Sequence, residues 1–249
     1  MPGSPYIPFM ISALGKAFAQ LSDPRVRRVL WWSLALALVI FIALWGGLGF
    51  LVTSGGDWLA AFVESAGWGD PWASIADWFA TLGGFLLLVV VSFLVFPGVV
   101  SMIVPLFLDQ VAEAVEERHY PGLPPARKQP YGEMIGDAVK LGLVTVALNL
   151  AALPFYLIFL FIPGLNLVLF YLLNGYLFGR EYFELVAVRR MDHPSLKQLF
   201  REKRGTFMLA GALITFLFTI PIINLTAPLV GAAFMLHLFQ RETGKRRGT

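Results

Sequence analysis

Residues 141–179 read LGLVTVALNLAALPFYLIFLFIPGLNLVLFYLLNGYLFG, 39 positions without one Asp, Glu, Lys or Arg. A membrane-spanning helix needs about 20 apolar residues, and two full spans with a turn need about 43 or more. The stretch is too long for one pass and short for two. It is also interrupted near its middle, at Ile162-Pro163-Gly164-Leu165-Asn166. Proline lacks a backbone donor and clashes with the preceding turn, so a helix should end there. The reading is a helical hairpin, each arm about 15–18 residues long.

Three more runs carry no charged residue: Val29–Gly56, Trp78–Leu108 and Gly205–Gln240. Of the 249 residues, 57% are hydrophobic and 14% charged, where a soluble domain has about 45–50% and about 25%. With a mean hydropathy of +0.72, the chain reads as an all-α integral membrane protein. Lipid-facing barrel strands would alternate apolar and polar positions, and these runs do not. The last run is broken like the first, at Ile220-Pro221-Ile222-Ile223-Asn224. Both breaks read I-P-x-x-N-L, a weak internal repeat of the kind transporters reuse, or simply a good turn in an apolar setting. Non-helical backbone at membrane depth is tolerated only against protein or a watery cavity. Pro163, Gly164, Asn166, Pro221 and Asn224 are therefore pore or gate candidates.

Charge sets the topology, because cytoplasmic loops collect Lys and Arg. The segment 57–77 holds Asp57, Glu64, Asp70 and Asp77 and no basic residue. All 19 basic residues lie elsewhere: four before Val29, four in 109–140, seven in 180–204 and four after Gln240. The first two runs then cross out and back, and the last two enter and leave on the cytoplasmic side. The expected organisation is a single membrane domain with both termini cytoplasmic. Its parts are an interfacial helix at 1–22, span 1 at 24–56 and span 2 at 78–117, continuing into the cytoplasm. Hairpin 1 at 141–179, a cytoplasmic connection at 180–204 and hairpin 2 at 205–240 complete it. The hairpins are either re-entrant or short. Trp31, Trp32, Trp58, Trp68, Trp72 and Trp78 flank the first two runs as an aromatic belt.

Ile7, Met10, Ile11, Leu14, Phe18 and Leu21 recur at helical spacing, which suits an amphipathic helix lying in the interface. Asp23 then makes a good N-cap, with Pro24 at the first helical position. Arg25, Arg27 and Arg28 follow in the first turn, where the helix end is already positive and acids would be expected. Arginines at the cytoplasmic end of a first span satisfy the topology rule. Guanidinium groups beside free helix amides also make an anion site.

The stretch Leu21-Ser22-Asp23-Pro24-Arg25-Val26-Arg27-Arg28 resembles the L-S-x-P-G-[IL]-R-R of the CysZ sulfate-permease family, part of the etoposide-induced-protein superfamily. Phe107–Glu116 is similar to its F-N-G-L-L-A-E-x-L-E, Phe161–Gly164 to its F-I-P-G, and Ile220–Leu225 with Pro228 and Gly231-Ala232 to its I-P-L-L-N-L…P…G-A. The likeness runs in order along about residues 12–242. It implies two long membrane helices with two partly penetrating hairpins, and sulfate uptake across the bacterial inner membrane for cysteine synthesis. It also implies that Arg27 and Arg28 contact the anion, with Arg25 standing where the family has glycine. A homo-oligomer is expected, since two full spans enclose little alone. The alternative is a non-transporting membrane scaffold of the same superfamily, docking anionic lipid or a partner through 180–204 and the basic tail.

Other chemistries find no support. There is no cysteine, and His119, His193 and His237 lack an H-x-x-x-H spacing, so no metal and no cofactor are expected. No phosphate-loop motif is present, no nucleic-acid partner is indicated, and no nucleophile–base pair suggests an enzyme. Asn149 and Asn174 either line a path or hydrogen-bond across helices. Gly175-x-x-x-Gly179 permits close helix approach, within the chain or in a dimer. Arg180 and Glu184, four apart, can pair on a helix continuing past the membrane. His237 reads as an interfacial ring.

Overall fold

The computed structural model describes residues 6–67, 74–75, 78–79, 82–86, 89, 107–127, 129–162 and 164–247. All regular elements among them are helical. In chain order they are α1 (Tyr6–Ala19), a 3-10 turn (Gln20–Ser22), α2 (Pro24–Ser65), α3 (Leu108–His119), α4 (Tyr131–Phe159), α5 (Leu165–Ala187) and α6 (His193–Glu202). Then come α7 (Arg204–Thr219), a single turn α8 (Pro221–Asn224) and α9 (Ala227–Arg247). Two compact units contain them: Met1–Val29 with Leu108–Thr249, and Leu30–Phe107. The expected second span, 78–117, lies largely outside the described residues, as do Trp68, Trp72 and Pro163.

In the second unit, α2 runs on past Gly56 to Ser65. No proline interrupts it, and the chain turns only after it, where Gly67 takes φ 73°. Its section Pro24–Gly47 is long and apolar enough to cross a membrane. Trp31 and Trp58 are both exposed. At 1.5 Å per residue they stand about 40 Å apart along the helix, close to the thickness of a bilayer with its headgroups.

In the first unit, α9 is the hub. From Ala227 to Phe239 every residue is buried, as befits a helix apolar on all sides. It packs against α1, α3, α5 and α7. Gly231 lets the Tyr182 ring lie close: a Cβ there would meet it at 3.1 Å. Phe183, Phe200, Phe207 and Phe239 join α5, α6, α7 and α9 in one aromatic cluster, with Phe183 and Phe207 centroids 4.3 Å apart. The most extensive seam is α5 on α7. There Gly175-x-x-x-Gly179 meets Gly211, and a Cβ on Gly211 would sit 2.1 Å from the Gly175 carbonyl oxygen. The glycine pair thus serves packing inside the chain.

The α1 helix docks on α9 through small residues that the apolar spacing did not pick out. Met10, Ala13, Ala17 and Gln20 are buried, on the side that faces α9. Ile7 and Ile11 point outward, 59% and 68% exposed. Alanines allow a closer approach than isoleucines, so the small residues take the protein face and the large ones stay free for lipid.

The hairpin arms are unequal. The 16 residues of α7 fall in the expected range, but α4 has 29, and its Gly132–Phe159 is long enough to cross a membrane. It starts early because Pro130 opens the helix before the apolar run, and Pro154 does not end it. Its outer face, including Leu143, Leu150 and Leu157, is exposed. The two I-P-x-x-N-L tips also differ. At the first, Gly164 adopts φ 85° and α5 begins at Leu165. At the second, Ile222 cannot readily take that conformation, and Pro221 instead opens the single turn α8. Within the chain Phe161 at the first tip is 85% exposed, and Asn224 at the second is exposed.

Candidate anion site at the start of the first long helix

Asp23 is extended, φ −67° and ψ 129°, and caps α2 directly. Its Oδ1 accepts the Arg25 amide at 2.9 Å, and its carbonyl accepts the Arg27 amide at 2.9 Å. Pro24 has no N–H to offer. The bundle of free helix amides expected from sequence is thus mostly satisfied internally, so what this end offers an anion is its side chains.

Those side chains divide. Val26 and Val29 turn into the core, which leaves Arg25, Arg27 and Arg28 exposed. The Arg25 guanidinium donates to Glu117 at the end of α3. Arg118 in turn pairs with Asp23 Oδ2 at 3.4 Å. These crossed pairs lash the start of α2 to α3. Arg27 and Arg28 have no side-chain hydrogen bond or ion pair among the described residues. The arginine that replaces the family glycine is therefore tied down, and the two that carry the resemblance are open. No hydrogen bond or ion pair among the described residues joins these arginines to Gly164, Asn166, Pro221 or Asn224. At the first tip, Asn166 Oδ1 is buried and unpartnered among them.

Other polar groups are occupied. Asn149 and Asn174 each donate back to their own helix, to the carbonyls of Thr145 and Phe170, both at 2.9 Å. That is the local i−4 pattern. Arg180 pairs with Glu184 at 2.8 Å, as their spacing allowed. Sequence reasoning missed a buried charge cluster behind α3. Glu116 binds Arg189 at 3.1 Å and Arg190 at 2.6 Å, and Arg189 also reaches Asp109 at 3.1 Å. A doublet of arginines after a long, largely apolar helix gives no hint of a buried partner 73 residues earlier. Removing one member of a buried ion pair leaves the other charged and desolvated, which costs about 3–5 kcal/mol. Glu116→Ala is accordingly expected to lower stability by about 3 kcal/mol, readable as a fall in melting temperature of the detergent-purified protein. An unchanged melting curve would contradict the pairing.

His237, expected at the interface, is instead 2% exposed. Its Nδ1 meets the Tyr120 hydroxyl at 2.9 Å, and its ring lies edge-on to His119 with centroids 4.9 Å apart. His119 Nε2 lies 3.2 Å from Gln20 Oε1. Burial, then Arg118 and Lys16, hold the His119 imidazole below its usual value of 6.5. Below about pH 6.5 the unfolded chain takes up the proton more readily than the folded one, so stability falls as pH drops through that point. Melting at about pH 5.5 should precede melting at about pH 7.5. Equal values would show that this ring titrates as freely folded as unfolded.

Helices alone among the regular elements of the described residues, two of them long and apolar enough to cross a bilayer with bare outer faces, are the marks of a helical membrane protein. The family described as Sulfate transporter CysZ/Etoposide-induced protein 2.4 matches residues 13–228, and the chain belongs to it. No curated protein sequence matches the chain.

Proposed function

We propose that this protein is a sulfate permease of the bacterial inner membrane, channel-like or gradient-coupled, supplying sulfate for cysteine synthesis. The observation that carries the reading is the contrast among three neighbouring arginines. Arg25 is engaged by Glu117, while Arg27 and Arg28 are exposed and open among the described residues, on the stretch the family resemblance marks for the anion. Guanidinium groups bind tetrahedral oxyanions through paired, charge-assisted hydrogen bonds. Both termini and this helix start lie on the cytoplasmic side. Gly164, Asn166, Pro221 and Asn224, with Pro163, line or gate the path. Hairpin 2 is re-entrant, because the 16 residues of α7 cover only about 24 Å of a hydrocarbon core about 30 Å thick. A homo-oligomer covers the exposed tip residues Phe161 and Asn224. No catalytic step is involved.

The scaffold alternative draws less support. Of the charges in 180–204 that would serve docking, Arg180, Arg189 and Arg190 are already paired inside the fold. The test is uptake of labelled sulfate by proteoliposomes against protein-free vesicles, with sulfite and thiosulfate as competitors. Saturable, competed uptake supports the permease. No uptake by folded, inserted protein transfers the reading to another anion or to the scaffold role.

A further inference from the structure

The sequence offers no paired-histidine motif, yet the fold assembles a metal-ligating set from two separate helices. Glu133 and Asp137 stand one turn apart on α4, and His193 opens α6. One ligand atom from each lies within 4.8 Å of the other two. His193 Nε2 is 2.9 Å from Glu133 Oε1 and 3.5 Å from Asp137 Oδ2. In a tetrahedral site with bonds of about 2.0–2.1 Å, neighbouring ligand atoms stand about 3.3 Å apart.

A simple His–carboxylate hydrogen bond does not account for this arrangement. Glu133 Oε1 is shut off from solvent and accepts no hydrogen bond among the described residues, although His193 Nε2 is only 2.9 Å away. The ring nitrogen and the oxygen approach without being aimed at one another, as two atoms do when both point to a third. Each carboxylate also accepts a hydrogen bond from outside the set. Arg127 donates to Glu133 Oε2 at 2.7 Å, leaving Oε1 to the cluster. Gln129 donates at 2.7 Å to Asp137 Oδ2, the same oxygen that approaches His193, and leaves Oδ1 without a hydrogen bond from Gln129. Supporting hydrogen bonds of this kind orient ligands in metal sites.

We propose that Glu133, Asp137 and His193 bind one divalent transition-metal ion, with a fourth position left for water. The imidazole disfavours magnesium and calcium, which take oxygen ligands, and suits zinc and its first-row neighbours. The ion would clamp the first two turns of α4 to the first turn of α6, and so join the leading arm of hairpin 1 to the connection that leads into hairpin 2. This role is independent of whether the protein carries sulfate.

The full-length protein, purified in detergent and stripped with chelator, is titrated with zinc by calorimetry and with cobalt by visible absorption. The expected result is one equivalent bound and a cobalt spectrum of low, four-coordinate symmetry. Binding should weaken at least tenfold in each of Glu133→Gln, Asp137→Asn and His193→Ala. Lys197→Ala, on the same α6 helix but outside the set, should bind as the parent does. Because the cobalt spectrum is read on the unaltered chain, a variant that fails to fold does not rescue the proposal. No saturable binding by the parent protein, a six-coordinate cobalt spectrum, or parental affinity in folded His193→Ala would each overturn it.

Discussion

Gly211→Ala is expected to abolish the folded state. The added Cβ would lie 2.1 Å from the Gly175 carbonyl oxygen, 2.3 Å from the Gly179 nitrogen and 2.7 Å from the Gly179 Cα. None of these is the end of a flexible side chain. All belong to the backbone of α5, so only separation of α5 from α7 relieves the clash. Overpacking a core ordinarily costs about 1–3 kcal/mol, with larger values where nothing can yield. Here the separation opens the most extensive seam in the first unit. The Phe183–Phe207 pair, at 4.3 Å between centroids, opens with it. Gly179→Ala, whose Cβ would meet the Phe207 carbonyl oxygen at 2.4 Å, should behave alike. Gly136→Ala and Gly142→Ala on α4 meet nothing within 4 Å and give the helix a better former by about 1 kcal/mol, so they should match or exceed the parent. The measurement is the fraction of monodisperse protein after detergent extraction, with its melting temperature. Gly211→Ala melting like the parent would mean that the two helices lie further apart than described.

That seam shows what a sequence can and cannot disclose. The glycine spacing at 175 and 179 announced a close approach, but its partner, Gly211, lies in another hairpin and has no spacing relation to it. The breaks at Pro163 and Pro221 were legible because proline acts locally. Their different geometries depend on one residue, Gly164 against Ile222, since only the first readily accepts a positive φ. Periodicity marked α1 as a helix with an apolar face, but not the alanines that pack it on α9. Hydrophobicity ranks isoleucine over alanine, whereas close packing on α9 ranks them the other way. Cross-chain polar pairs were invisible for a similar reason. Arg25 and Glu117 are 92 residues apart, and nothing in either neighbourhood marks the other. Charge counting placed Arg189 and Arg190 with the other cytoplasmic cations, and only the fold buries them against Glu116. The metal-ligating set stayed hidden because two of its members are carboxylates near the start of α4, where acids are ordinary, and the third lies in another helix.

Arg27→Ala combined with Arg28→Ala is expected to remove sulfate binding without unfolding the protein. Hydrogen bonds to a charged group contribute about 1.5–3 kcal/mol each, so losing both guanidinium groups lowers affinity by about 100-fold or more. The fold should tolerate the change, because both side chains are exposed and cations sit unfavourably at a helix N-terminus. The contact face of this turn is Val26 and Val29, which the variant keeps. Arg25→Ala separates charge from contact. It removes one nearby positive charge, but its guanidinium is committed to Glu117, so only a modest, salt-sensitive loss is expected, screened away at high ionic strength. Lysine at 27 and 28 keeps the charge and loses the planar fork, so it should restore part of the binding. The measurement is sulfate affinity by calorimetry or scintillation proximity on detergent-purified protein, beside a melting curve for each variant. Parental affinity in a folded double alanine variant would remove this helix start as the anion site and leave its arginines the simpler task of fixing the cytoplasmic side. Loss of affinity in Arg25→Ala equal to that of the double variant would place the anion between α2 and α3, in competition with Glu117.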